Sequence, residues 1–152
     1  MPAPVIVVSL DGFRHSYLRL LPPSSALRTL ARDGATADRM LAVNPSKTFP
    51  SHWSIATGVP PDEHGLFDNY FYAADGARFA MSEPAAHDAR WWQGAEPIWA
   101  VAERQGLPTA PAYWPGADVA FRGARPTFRA PRNRVNPRGP VAPPFRTQVR
   151  RL

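Results

Sequence analysis

The clearest pattern near the start of the chain is an apolar run over residues 5–10, Val-Ile-Val-Val-Ser-Leu, which is rich in β-branched side chains. An almost unbroken run of this length predicts a strand that is buried on both faces, as in a parallel sheet. Residues 35–43 predict a second, short strand. Residues 108–114 predict a third, although Pro111 argues against a central place for it.

Three helices are predicted from apolar spacing and end signals. The first covers about residues 24–33, between a cap at Ser24 or Ser25 and a terminal Gly34. The second covers about residues 50–57, with a proline in its first turn and a glycine at position 58. The third opens at residues 96–97 and stops at residue 106, and its predicted apolar face consists of Ile98, Val101 and Ala102. Strands followed by helices predict an α/β fold with a mostly parallel sheet and flanking helices, of which this chain holds the first units.

The stretch between the second and third helices predicts little regular structure. Residues 59–65 form a loop by composition, and residues 66–95 are irregular and aromatic. The adjacent Trp91 and Trp92 are interpreted as core residues or as a lid over a site. None of the four histidines has a metal-binding spacing to another, so each is predicted to have a hydrogen-bonded structural role.

Composition divides the chain into two parts. The net charge is +6, but residues 129–152 contain seven arginines and no acidic residue, so residues 1–128 carry 11 basic and 12 acidic side chains. Residues 1–128 are therefore predicted to be the folded domain, and residues 129–152 a disordered tail rich in arginine and proline. The absence of cysteine excludes disulfides and thiolate metal ligands.

The sequence contains no apolar run near the roughly 20 residues that a membrane-spanning helix needs. Its first residues also lack the basic and apolar regions of a signal peptide, so none is predicted. The cellular location stays open.

Three polar residues are candidates for a reactive site. Asp11 follows the predicted strand, where a carboxylate points into the ligand crevice of α/β folds, although a turn before Gly12 explains it equally well. Thr48 precedes a helix whose free N–H groups suit a phosphate oxygen, and a bound metal would activate its hydroxyl. Thr48 is otherwise a helix-entry residue. Asn69 either donates to a phosphoryl oxygen or forms a turn.

A family resemblance rests on three ordered segments. They are Val-Ile-Val-Val-Ser-Leu-Asp-Gly-Phe-Arg (5–14), Asn-Pro-Ser-Lys-Thr-Phe-Pro-Ser-His-Trp (44–53) and Gly-Val-Pro-Pro-Asp-Glu-His-Gly-Leu-Phe-Asp-Asn (58–69). Together they resemble the nucleotide pyrophosphatase/phosphodiesterase family of the alkaline phosphatase superfamily, over about residues 5–128. The resemblance implies an alkaline-phosphatase-like fold, two zinc ions and hydrolysis of a small-molecule phosphodiester or nucleotide.

The resemblance also implies roles for four residues. Asp11 matches a zinc ligand. Thr48 matches the nucleophile, which ligates the same zinc and forms a covalent phosphoryl-threonine. Asn69 matches the asparagine that hydrogen-bonds the phosphoryl oxygen, and Phe49 an aromatic position near the base or leaving group.

The remaining zinc ligands of the family lie beyond the position that matches Phe128. Asp11 and Thr48 would therefore supply only part of a two-metal site, and we expect a truncated chain with weak or no activity. The tail from residue 129 is interpreted as read out of frame.

Two other functions are considered. An arginine-rich tail suits a nucleic-acid-binding module, but the tail has only one aromatic residue, Phe145, and residues 1–128 are slightly acidic, so nucleic acid is not the expected partner. A phosphomonoesterase of the same superfamily usually has serine where Thr48 stands, so the Thr-Phe-Pro sequence favours a diesterase. The substrate stays open.

Overall fold

The structure, a computed structural model, describes residues 3–129. They belong to two compact units, Met1–Leu41 and Ala42–Leu152. The first unit contains a 3₁₀ helix, His15–Leu20, and helix α1, Ala26–Asp33. The predicted ends of α1 are confirmed, because the Ser25 hydroxyl accepts a hydrogen bond from the Arg28 N–H and Gly34 follows the last turn.

The predicted strand over residues 5–10 is wrong for this structure. The segment has no strand partner among the described residues, and its side chains from Val5 to Val8 are 60–87% exposed. The apolar pattern shows that a segment suits burial, but burial in a sheet also needs neighbouring strands, and residues 3–129 supply none to this segment. Residues 35–43 and 108–114 are not strands either. The mostly parallel sheet is therefore not found among residues 3–129.

The second unit contains three of the described α-helices. Helix α2 is Thr48–Thr57, which begins two residues before the predicted start and ends at a left-handed Gly58 with φ of 76°. A one-turn helix, α3, Pro61–His64, occupies the predicted loop. Helix α4 is Ile98–Arg104. Its buried residues are Trp99 and Ala100, whereas Ile98 is 62% exposed, so the predicted apolar face was wrong.

An antiparallel hairpin lies within the stretch predicted to be irregular. Its strands are β1, Tyr70–Tyr72, and β2, Arg78–Ala80, with Phe71 opposite Phe79. The turn contains Asp75 and Gly76, a pair that favours tight hairpins; the Asp75 carboxylate accepts a hydrogen bond from the Ala77 N–H at 3.0 Å, and Gly76 has φ of 83°. This turn signal was present in the sequence. Two short 3₁₀ helices follow, Pro84–His87 and Ala89–Trp91.

The core of the second unit is aromatic. The rings of Trp53 and Trp92 meet edge to face at 5.0 Å, and Phe79 stacks on Phe71 at 5.0 Å. Trp91 and Trp92 are both buried and donate their indole N–H groups to backbone carbonyls, which confirms the core interpretation of this pair. The core joins α2 and α4 to the hairpin. It therefore supports helix α2, which begins at Thr48, and strand β1, which follows Asn69.

A single carboxylate fastens two loops to α4. Glu103 accepts hydrogen bonds from the backbone N–H and hydroxyl of Thr109 and from the backbone N–H and hydroxyl of Thr127, at 2.7–2.8 Å. These bonds, that of the Thr109 side chain foremost, lower the pKa of Glu103 to about 2.

Glu103 is therefore expected to contribute to the loss of stability in acid. Its folded-state pKa lies below the unfolded value of 4.5, so its stabilisation is present above about pH 4.5 and is lost as the pH falls toward 2. Denaturant unfolding at pH 2.5–6 should show a steeper acid loss for the parent chain than for Glu103→Gln. Parallel pH profiles for the two chains would contradict this assignment.

Candidate active site at the start of helix α2

Thr48 is the first residue of α2 and is half-buried. Lys47 before it is extended, with φ of −125° and ψ of 160°, and its carbonyl accepts the first helical hydrogen bond from the Ser51 N–H at 3.0 Å. Pro50 suits the first turn because it needs no hydrogen-bond acceptor there. The Thr48 hydroxyl therefore belongs to the turn where helix N–H groups and the positive end of the helix dipole favour an anion.

Asn69 is attached to that same turn. Its side-chain Oδ1 accepts a hydrogen bond from the Phe49 N–H at 2.9 Å, and its backbone carbonyl accepts one from Met81 at 2.9 Å. Oδ1 accepts from Phe49, and the hydrogen-bond donors of the Asn69 amide are on Nδ2. The structure thus brings Asn69 to the residue that follows Thr48, as two separate motifs of the sequence suggested.

Phe49 has a different setting from the one that the resemblance implies. Its side chain is 4% exposed and lies in the core, with ring centroids 5.8 Å from those of Phe79 and Trp92. In this structure the ring packs in the aromatic core and stabilises the first turn of α2. A contact with the base or leaving group of a substrate stays a prediction.

Asp11 lies in the first unit, in an exposed turn. The Phe13 N–H donates to the Leu10 carbonyl at 3.2 Å across this turn, and Gly12 adopts φ of 68°. A positive φ at the third residue is what a type II turn needs, so glycine fits there. The turn interpretation of Asp11 is confirmed, and its role as a zinc ligand stays a prediction.

Two histidines hold α2 from inside the unit. His52 Nδ1 lies 2.7 Å from the Thr48 carbonyl, which can only accept, so this nitrogen carries a proton. The Trp114 indole donates to the His52 carbonyl at 3.1 Å. His64 Nε2 lies 2.9 Å from Ser54 Oγ. The predicted hydrogen-bonded structural roles of His52 and His64 are confirmed, but sequence reasoning did not identify their partners.

His64 is 1% exposed, and burial disfavours its charged form. Its Nδ1 accepts a hydrogen bond from the Leu66 N–H at 3.1 Å, which requires an unprotonated nitrogen. Burial lowers the pKa of His64, and the Pro50 carbonyl and the charge of Asp62 offset only part of that effect.

Stability is accordingly expected to fall in mild acid. The unfolded chain takes up a proton at His64 near pH 6.5 and the folded chain does so only at lower pH, so the free energy of unfolding decreases as the pH drops below about 6.5. Denaturant unfolding between pH 5 and 8 measures this slope. His64→Asn should flatten it relative to the parent chain, and an unchanged slope in that variant would contradict the prediction.

The described residues do not make a complete metal site. Residues 3–129 contain no group of three or more His, Cys, Asp or Glu side chains that could hold a metal ion. The described side chains therefore do not complete a site for two zinc ions, and no reaction step is derived through a metal. None of the described helices is long and apolar enough to cross a membrane.

A protein family and several known proteins match the sequence of this chain. The profile of the type I phosphodiesterase/nucleotide pyrophosphatase family matches residues 5–151. Mouse ectonucleotide pyrophosphatase/phosphodiesterase family member 3 is 43% identical over 130 residues, 82% of this chain and 14% of the relative. Venom phosphodiesterase 2 of Crotalus adamanteus is 41% identical over 131 residues, 83% of this chain and 16% of the relative.

Solved structures of murine ectonucleotide pyrophosphatase/phosphodiesterase 5 have the same fold. One matches 93% of this chain and 36% of its own, with a TM-score of 0.80 and 29% identity. Another, an inactive threonine-to-alanine variant in complex with AMP, has a TM-score of 0.81 and 28% identity over 94% of this chain.

These matches give the chain the alkaline-phosphatase-like fold of its solved neighbours. The chain belongs to the type I phosphodiesterase/nucleotide pyrophosphatase family, as the resemblance implied. It spans 14–16% of the length of these curated relatives. The family match covers residues 5–151. Residues 130–152, predicted to be disordered, lie outside the described structure, and the interpretation of the tail stays a prediction.

Proposed function

We propose that this chain carries the nucleophile of a metal-dependent hydrolase of phosphodiester or pyrophosphate bonds, acting on a small-molecule phosphodiester or nucleotide. The observation that carries the proposal is the hydrogen bond between the Phe49 N–H and Asn69 Oδ1, because it fastens an amide side chain beside the helix-entry Thr48. The Asn69 side chain is thereby attached to the first turn of α2, which carries the Thr48 hydroxyl.

The reaction proposed for this turn has two displacements. Thr48 Oγ1 attacks phosphorus and loses its proton, and the bond from phosphorus to the leaving oxygen breaks. The leaving group departs with the bonding electrons and takes up a proton. Water then attacks the phosphoryl-threonine, releasing the phosphoryl product and returning a proton to Oγ1. Asn69 Nδ2 donates to a phosphoryl oxygen as negative charge increases there.

The name of one solved relative supports a threonine in this role. The murine phosphodiesterase 5 variant that binds AMP is inactive after a threonine-to-alanine change. Thr48 is the threonine that the Lys-Thr-Phe-Pro motif of this chain matches to the family nucleophile. A phosphodiester or pyrophosphate that contains an AMP group is accordingly the first substrate class to test.

We propose two zinc ions as the cofactors of the complete site, with Asp11 and Thr48 among their ligands. Zinc would lower the pKa of the hydroxyl bound to it and stabilise charge on the phosphoryl group. Because residues 3–129 contain no complete ligand group, we expect this chain by itself to bind zinc weakly and to turn over slowly. Near-stoichiometric zinc in the purified chain, with rapid diester hydrolysis, would contradict that expectation.

The test is to trap the covalent intermediate. The chain is incubated with zinc and bis(p-nitrophenyl) phosphate, quenched in acid and digested, and the peptide that contains Thr48 is analysed by mass spectrometry. We expect an aryl phosphate adduct on Thr48 that persists on serine in Thr48→Ser and is absent in Thr48→Ala. Thr57→Ala, at the other end of the same helix, is the matched control and should keep the adduct. An adduct on another residue, or p-nitrophenol release that survives Thr48→Ala, would refute the proposal.

A further inference from the structure

We infer that His64 is a positioning residue whose hydrogen bond with Ser54 holds Asn69 in register with the first turn of α2. The inference rests on the proposed function for the importance of Asn69, whereas the geometry that supports it is independent of catalysis. Ser54 and His64 are 8% and 1% exposed, so neither side chain is available to a substrate, and their contact needs another explanation.

Two hydrogen bonds join the same pair of segments at both ends. Phe49 and Ser54 lie five residues apart on α2, and His64 and Asn69 lie five residues apart on the segment that returns along it. Phe49 N–H donates to Asn69 Oδ1 at 2.9 Å, and Ser54 Oγ lies 2.9 Å from His64 Nε2. Because five helical residues rise only about 7.5 Å, movement at one end of this closed loop is limited by the bond at the other.

The histidine is itself fixed at both ring nitrogens. Nδ1 accepts the Leu66 N–H at 3.1 Å, so in the neutral ring Nε2 carries the proton and donates it to Ser54 Oγ. Leu66 is completely buried, which holds the following chain in place. The backbone of Gly94 packs directly on His64, since a Cβ at that glycine would lie 2.3 Å from the His64 carbonyl oxygen. The imidazole is thus the link between α2 and the segment that reaches Asn69.

The Phe49 amide reports the position of Asn69 directly. Phe49 is the second residue of α2, and its N–H donates to Asn69 Oδ1. This hydrogen bond slows the exchange of the Phe49 amide with solvent. If the Ser54–His64 bond is lost, the return segment gains freedom, Asn69 leaves Phe49 more often, and the Asn69 amide donors no longer stay beside Thr48.

The experiment measures amide hydrogen exchange by NMR on the full 152-residue chain. We expect Ser54→Ala, which deletes only the hydroxyl, to speed exchange at Phe49 about fivefold. Thr57→Val is the matched control, because it deletes a hydroxyl on the same helix that donates only to the Trp53 carbonyl, and it should leave Phe49 within about twofold of the parent. Asn69→Ala removes the acceptor of the Phe49 N–H and so sets the upper limit of the acceleration expected at this amide. The Ala100 amide, on α4, reports the stability of the rest of the unit.

Two histidine variants separate positioning from simple loss of structure. His64→Asn keeps an acceptor for the Leu66 N–H but does not reach Ser54, so it should resemble Ser54→Ala. His64→Gln keeps a donor that reaches Ser54 and should restore part of the protection at Phe49. The inference is overturned if Phe49 exchanges at the parental rate in Ser54→Ala while Asn69→Ala accelerates it. It is also overturned if Phe49 and Ala100 accelerate equally. Neither result depends on turnover, so failure here is distinct from failure to trap an adduct on Thr48.

Discussion

Gly116→Ala is expected to lower the free energy of unfolding by more than about 3 kcal/mol. Gly116 has φ of 83°, in the left-handed region that L side chains rarely adopt. A Cβ there would also lie 2.4 Å from Trp92 Cε3 and 2.8 Å from Trp53 Cζ3. Both indoles are buried in the aromatic core, so neither is free to move aside. Trp53 lies on α2, and the change would therefore disturb the helix that carries Thr48.

Gly76→Ala is the matched control for this prediction. Gly76 has the same φ of 83°, but a Cβ added there would meet no heavy atom within 4 Å, so the variant isolates the backbone cost of about 1–2 kcal/mol. Denaturant unfolding followed by tryptophan fluorescence gives both values. If the two alanine variants lose equal stability, the contact between Gly116 and the indoles is relieved at no cost and the packing argument fails.

The helices could be located from the sequence because their ends are set by neighbours a few residues away. Ser25 caps α1, and Gly34 and Gly58 follow the last turns of α1 and α2, as the sequence around each of them predicted. The strand over residues 5–10 could not be located in this way, because a strand exists only when distant residues pair with it. The hairpin was missed for a different reason. Its Asp75-Gly76 turn signal is local, but the aromatic residues around it were interpreted as irregular.

The candidate site, too, could be predicted from the sequence only in part. Thr48 was predicted to precede a helix, and in the structure it is the first residue of α2. The contact of the Asn69 side chain with the Phe49 N–H depends on how the chain returns along α2, which spacing in the sequence does not show. The family resemblance implied a role for Asn69 that spacing alone did not. The Ser54–His64 pair needed the one-turn helix α3, which composition had assigned to a loop. A buried polar pair of this kind leaves no periodic signal in a sequence.

Phe79→Ala is expected to lower the free energy of unfolding by about 3–5 kcal/mol. Phe79 is completely buried on β2 and stacks on Phe71 across the hairpin. Its ring also contacts Phe49 at 5.8 Å and Trp91 at 5.5 Å. One truncation would therefore open a cavity that borders both β1, which follows Asn69, and the residue after Thr48. A loss of this size is a large fraction of the roughly 5–15 kcal/mol that stabilises a typical domain.

Tyr72→Ala is the control, because Tyr72 lies on the same hairpin, is also aromatic and is 71% exposed. Its loss should change the free energy of unfolding by less than about 1 kcal/mol. Urea unfolding gives both values, and NMR exchange at the Phe49 amide should accelerate in Phe79→Ala but not in Tyr72→Ala. Equal destabilisation by the two variants would mean that the aromatic core does not support the start of α2. A large stability loss with an unchanged Phe49 amide would mean that Asn69 holds that turn without help from the core beneath it.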